Sequence, residues 1–309
     1  MKKILMSIFA VISFGLVSTS AIAQKTINVV WPYGNASIQA TWIRAIVDQA
    51  NIDQKKYKFV YEHKPGGSGV LAAQYVKKMA PENNTIFAVS SAIFIRTMLY
   101  PTNTPYTIDE FKTVSVTGST PMVILTRNKT LEQLLSKNGE ITIGTSGAGN
   151  TTHLVGELFA RNFPNKKFKF VHYNGASTEA YKDVMGGHID ASMDFFGDLK
   201  DPANTHLIGT TGSKVLMPGV PRLIDIGIKG MDKASVPFMF IAPIQFSDEV
   251  AAEINDIILK AEKGEKVKNA LTLGNVQRDK EYRTKEELAK YQLEVVDFFR
   301  TLAKGIVLE

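Results

Sequence analysis

Four clusters of small and polar residues stand where β-like runs give way to helix-like ones. They are Gly34-Asn35-Ala36-Ser37, Ser90-Ser91, Thr145-Ser146-Gly147-Ala148-Gly149-Asn150-Thr151-Thr152 and Tyr173-Asn174-Gly175-Ala176. Small side chains let a backbone approach a ligand closely. A helix starting on such a turn offers unpaired N–H groups and a partial charge of about +0.5. Two such turns facing each other would clamp a carboxylate without any arginine. A single Gly-rich turn is an ordinary connection, so the reading rests on several occurring at equivalent places.

Other chemistries fail on spacing. Gly147-Ala148-Gly149-Asn150-Thr151-Thr152 has Thr where a dinucleotide fingerprint needs its third Gly, and Ala148 replaces the last Gly of a nucleophile elbow. No phosphate-loop Lys follows a Gly-rich turn. The histidines at 63, 153, 172, 188 and 206 are never three or four apart, and no Cys exists to help them. No metal, no cofactor and no catalytic residue are expected.

Each candidate has a plainer alternative. Tyr33 either lines a cleft or covers a strand end. Asn35 and Ser37 either donate to a ligand or cap a helix. Ser146, Asn150 and Thr151, with the backbone at Gly34, Ala36, Gly147 and Gly149, are read as ligand contacts, as are Ser90 and Tyr173. His153 is read as a brace for a helix start. Asp194 either faces the cleft or fixes a turn. Arg44 and Arg96 are read as solvent-facing. Trp31, Tyr33, Phe94 and Tyr173 form either an aromatic platform or part of the core.

The elements that must position these turns follow from periodicity. Strands are predicted at Ile27–Trp31, Lys58–Glu62, Thr85–Val89, Met122–Thr126, Ile141–Thr145, Phe168–Val171, Ile189–Met193, Leu207–Thr210 and Val236–Ile241. Helices are predicted between many of them: one carrying Ile38, Trp42 and Ile46, one ending at Ala80, one from Thr151 to about Phe163, and one capped by Ser177. Alternating strands and helices imply parallel sheet built from βαβ units. Thr130-Leu131-Glu132-Gln133 and Thr284-Lys285-Glu286-Glu287 are capping boxes. After the second, Leu288, Tyr291, Val295, Phe298 and Leu302 form one apolar stripe.

The first residues read as a secretory signal. Lys2 and Lys3 precede an apolar run from Ile4 to Val17, and Ala21-Ile22-Ala23 offers a cleavage site before Gln24. The run is shorter than the roughly 18 to 20 residues that span a bilayer. Removing 23 residues from 309 leaves 286, enough for two domains. The leader holds two Lys and no acid, so the formal charge falls from +6 to +4. The Lys are scattered and not interleaved with aromatics, which excludes a nucleic-acid groove. With no Cys in an exported chain, stability must come from a packed core.

Five segments in order resemble the substrate-binding proteins of tripartite tricarboxylate transporters, the Bug family. Thr145 to Phe159 is similar to that family's Gly-rich loop and His-Leu-x-Gly-Glu-Leu-Phe helix. Val171-His172-Tyr173-Asn174-Gly175 resembles its Val-Pro-Tyr-Lys-Gly turn. Met185-Gly186-Gly187-His188-Ile189-Asp190, followed by Asp194, resembles its Leu-Gly-Gly-x-Val-Asp stretch. Lys64-Pro65-Gly66-Gly67-Ser68-Gly69 and the stretch from Gly212 to Pro221 complete the set. The first loop departs from the pattern: Ile38 stands where the family has Asp after its Gly-Gly.

The resemblance implies an α/β, type II periplasmic-binding-protein fold with two α/β domains, a hinge and an interdomain ligand cleft. Residues 24–126 plus 238–309 would form domain I and 127–237 domain II, with crossovers near Thr126 and Pro237. It implies a monomer in the periplasm that binds a small organic carboxylate and hands it to integral membrane transporter subunits, one large and one small. Two alternatives remain open: a sensor of the same fold, and a hydrolase using Ser146 and His153.

Overall fold

The computed structural model describes residues 24–173, 177–199, 205–278 and 280–306. The expected leader at 1–23 and Asn174, Gly175 and Ala176 of the fourth cluster lie outside them. The elements are β1 Lys25–Trp31, α1 Ile38–Asp53, β2 Tyr57–His63, α2 Val70–Lys78, β3 Thr85–Ser90, α3 Ala92–Leu99, β4 Phe111–Thr126, α4 Leu131–Leu135, β5 Glu140–Thr145, α5 Thr151–Arg161, β6 Lys167–His172, α6 Ser177–Gly186, β7 Ala191–Phe195, β8 His206–Thr210, β9 Ser235–Pro243, α7 Asp248–Ala261, α8 Glu265–Leu273 and α9 Lys285–Ala303. Among the described residues, no helix is long and apolar enough to cross a membrane.

The strands form one mixed sheet in the order β2-β1-β3-β9-β4-β7-β5-β6, with β8 also on β4. β1 lies parallel between β2 and β3. β5 lies parallel between β6 and β7. The two parallel groups are joined by antiparallel β9 and β4. The loops after β1 and β3 therefore leave one sheet edge together, and those after β5 and β6 leave another.

β4 is the element that sequence reading shortened. Only its last five residues are predicted as strand, although Val114 and Val116 alternate with Thr113, Ser115 and Thr117 just before them. They are strand all the same: Thr113, Ser115, Thr117 and Thr120 are buried, and β9 pairs along Phe111–Pro121. At Met122 the strand leaves β9 and pairs with β7 and β8. Two bulges bend it before that point. Gly118 sits in this bent stretch at φ 140°, and a Cβ there would lie 2.5 Å from the Gln277 carbonyl oxygen.

Strand alternation divides the core. Met122 and Ile124 belong to the large cluster with Trp31, Trp42, Phe87 and Phe159, whereas Val123 and Leu125 join a small one with Val184, Ile189 and Leu207. Trp42 meets Phe238 edge-on at 5.1 Å. Both capping boxes form as predicted. On α9 the buried line is Leu288, Val295, Val296, Phe299 and Leu302. Tyr291 and Phe298 are only half-buried, because the packed face rotates toward Val296 and Phe299. Helix α2 stops at Lys78, before Pro81. β7 begins two residues later than predicted, since Asp190 is turned inward to Thr142 by two backbone and side-chain bonds of 2.9 Å.

Candidate functional site

The first loop follows β1. Ser37 caps α1: its hydroxyl accepts from the Ala40 amide and donates to Gly34 O. Asn35 is held from outside the loop. Its Oδ1 accepts from Arg44 at 2.8 Å and from the Tyr61 hydroxyl at 2.7 Å, and Arg44 also reaches its carbonyl. Arg44 is thus a loop brace, stacked over Tyr61, and not a free surface charge. His63 reaches the Tyr33 carbonyl. Among the described residues nothing accepts from the amides of Gly34, Asn35 or Ala36.

Tyr33 stands edge-on to Trp31 at 5.1 Å. Its hydroxyl is inaccessible, beside Ser90, and makes no well-formed hydrogen bond among the described residues. Burial pushes the phenol up to about 12, with Ser90 acting in the opposite sense. Ser90 is buried and its hydroxyl accepts from the Ala92 amide. Trp31 and Phe94 are 1% exposed and belong to the core, so neither offers an aromatic platform.

The Gly-rich loop follows β5 and is internally knotted by hydrogen bonds. Asn150 caps α5, its Oδ1 accepting from the His153 amide and the Thr152 hydroxyl. Its Nδ2 donates to the Ser146 hydroxyl, which also meets Thr152 Oγ1 at 3.0 Å. The Ser146 amide donates to that same Thr152 oxygen. The Gly149 amide donates to His153 Nδ1 at 3.0 Å. The amides left uncommitted among the described residues are those of Gly147 and Ala148 in the loop and of Thr151 and Thr152 in the first turn of α5.

Tyr173 closes the side of this loop. Its amide donates to Thr145 O, and its hydroxyl donates to Asp183 at 2.5 Å. Burial, followed by Asp183, raises its pKa. Its carbonyl lies 3.7 Å from where a Gly147 Cβ would stand. Asp194 is buried on β7 and accepts from Ser192 at 2.8 Å. Ser192 pairs with Gly144, and continuing that register brings Asp194 level with Ser146.

The two groups of loops meet. The Ser91 hydroxyl oxygen lies 3.0 Å from that of Thr151, with both residues buried. Ser91 starts α3 and Thr151 starts α5. Sequence reading grouped Ser91 with Ser90 but did not choose it. Its type and place beside Ser90 were the available signal. Arg96, read as solvent-facing, is half-buried over Tyr100 with an inaccessible Nε.

The hydrolase geometry does not form. His153 directs Nδ1 to Gly149 and Nε2 to Glu157, 3.5 Å away, so neither nitrogen addresses Ser146. Among the described residues there is no cluster of His, Cys, Asp and Glu that could hold a metal. What the loops do offer is backbone N–H donors and hydroxyls on both sides of a junction between two parallel strand groups, where α/β sheets bind ligands.

Comparison with known proteins identifies the family and the fold. The family described as "Tripartite tricarboxylate transporter family receptor" matches residues 45–301. A Cupriavidus necator protein of the UPF0065 group is 26% identical over 213 residues, 65% of this chain and 64% of its own length. The chain thus spans just under two thirds of that curated relative. A Polaromonas TctC solute-binding protein solved without ligand has a TM-score of 0.71 at 18% identity, covering 92% of this chain and 100% of the other. A protein of Rhodopseudomonas palustris solved with adipate gives 0.77 at 19% identity, over 90% and 96%. MatC of the same organism, with bound malate, gives 0.75 at 20% identity, over 90% and 99%. The mixed α/β architecture is that of these periplasmic solute-binding proteins.

Proposed function

The chain belongs to the tripartite tricarboxylate transporter receptor family, and from that premise we propose that it captures a small organic carboxylate in the periplasm and delivers it to a transporter of this type. The ligand sits between lobes formed by residues 24–126 with 238–309 and by 127–237. Closing the lobes brings the first loop and the Gly-rich loop onto one solute. The leader at 1–23 is removed on export, and the partners are one large and one small membrane subunit.

The observation that carries this reading is the contact between Ser91 and Thr151. It joins the starts of α3 and α5 across the two strand groups. Among the described residues the loop after β1 leaves the amides of Gly34, Asn35 and Ala36 uncommitted, and the loop after β5 those of Gly147 and Ala148. Amides of this kind favour an anion. The related structures with malate and adipate support a carboxylate ligand. The absence of Asp at position 38 leaves the first loop without the acidic residue of the resembling family, which favours a solute with no cationic group there.

A thermal-shift screen of mono-, di- and tricarboxylates, amino acids, sugars and neutral analogues tests the reading. Binding only to the native state adds about 2.7 kcal/mol at roughly 100 times the dissociation constant. A clear shift with at least one carboxylate is expected. Hits confined to sugars or cations contradict it, and hydrolysis of a hit would move the protein to the enzyme class.

A further inference from the structure

His153 has a role that a ligand contact would not explain. It is 3% exposed, lies in the first turn of α5, and points back under the loop that precedes that helix. Nδ1 accepts the Gly149 N–H at 3.0 Å. An imidazole nitrogen that accepts carries no proton, so the ring proton sits on Nε2, facing Glu157 Oε1 at 3.5 Å. The ring is fixed by its neighbours: Phe170 lies edge-on at 5.1 Å and His172 at 4.4 Å. His172 is itself anchored to the Thr145 hydroxyl at the end of β5 by a 2.7 Å bond.

Gly149 needs this support. Its φ is 68°, in the left-handed region, and it is buried. Without Nδ1 its amide would be a buried donor with no acceptor. The same bond settles which amides the loop leaves over. Gly149 is spent on His153 and the Ser146 amide on Thr152; ahead of the helix Gly147 and Ala148 remain, and in its first turn Thr151 and Thr152.

We propose that His153 is the positioning residue of the ligand loop, and that its neutral Nε2–H form holds Gly149 so that the Gly147 and Ala148 amides stay presented to the solute. This rests on the reading of that loop as ligand-facing. A proton added at Nδ1 replaces the acceptor with a donor facing a donor, and the Gly149 bond is lost. Among the described residues the titratable groups facing the ring are Glu157 on α5 and His172 on β6. Burial first, and His153 second, hold His172 down to about 4, so it stays neutral beside the ring.

The test has one arm that needs no ligand. Ring nitrogen shifts and amide exchange are measured by NMR in the full mature chain, in His153→Asn and in His153→Leu. Asn keeps an acceptor near the place of Nδ1 and does not titrate; Leu keeps bulk and has no acceptor. In the wild type, Nδ1 is expected to be unprotonated at neutral pH. Gly149 should exchange about tenfold more slowly than Ala148, in line with one retained hydrogen bond. His153→Asn should retain that protection, and His153→Leu should lose it. A protonated Nδ1 at neutral pH, or a Gly149 amide that exchanges as fast as that of Ala148, overturns the proposal even if neither variant folds. The second arm titrates malate and adipate near neutral pH. Failure of both to bind counts against the carboxylate reading and leaves the exchange result to decide the role of His153.

Discussion

Ser91 and Thr151 are separated by 60 residues of sequence and joined by a 3.0 Å contact between their hydroxyl oxygens. Both are buried, so each hydroxyl depends on the other. Thr151→Val keeps the shape and removes the hydroxyl, leaving Ser91 buried without its partner. The expected result is a loss of solute affinity of about fivefold to tenfold, matching roughly 1 to 1.5 kcal/mol. In a double-mutant cycle Ser91→Ala should recover part of that loss. Strict additivity would mean that the contact contributes nothing to closure.

Gly149→Val places a β-branched residue at φ 68° and adds bulk to a buried turn. Solute binding should be lost while far-ultraviolet circular dichroism stays native. Near-normal affinity in titration calorimetry would remove this loop from the site.

Gly118→Val tests the bent strand and not the cleft. Its Cβ would stand 2.5 Å from the Gln277 carbonyl oxygen, at a backbone angle of 140° that suits glycine. Backbone cannot yield as a flexible side chain does, so a loss of about 2 to 4 kcal/mol in urea denaturation is expected. A loss below about 0.5 kcal/mol, the range of a neutral surface change, would show that β4 is free to relax there.

These substitutions mark where the sequence could be read and where it could not. The turns were legible because Gly, Asn, Ser and Thr at strand ends have few other uses. Ser37, Asn150, Thr130 and Thr284 cap helices as their types suggest. In the first eleven residues of β4 the alternation of Val114 and Val116 with Thr113, Ser115 and Thr117 was a strand signal, but the burial of those hydroxyl residues was not legible. It comes from pairing with β9 and from helices packed above, which residue types do not announce. The partners of the loops were hidden for the same reason. Arg44, Tyr61 and His63 support the first loop from α1 and β2, and His172 supports His153 from β6. Nothing in their spacing announces those meetings.

Glu262 should make stability depend on pH. It is 4% exposed, and burial pushes its carboxyl up to about 7 against the opposing pull of Arg278. The folded state thus holds a proton that the unfolded chain, at the ordinary 4.5, releases sooner. The contribution is present below pH 4.5 and is lost as pH rises through 7, by about 3 kcal/mol at most. Glu262→Gln should remove this component, flattening the change in unfolding free energy between pH 5 and 8. An unchanged slope would place Glu262 in its charged form throughout.

The central claim is that backbone amides at the junction of the loops select a carboxylate for its charge. Titration calorimetry near neutral pH, comparing the acid of highest affinity from the screen with its own amide, tests it most directly. The two differ by one ionised group and little else. The account expects the acid to bind at least about 100-fold more tightly, or roughly 2.7 kcal/mol. An amide that binds within about threefold of its acid, a difference near 0.6 kcal/mol, would contradict it.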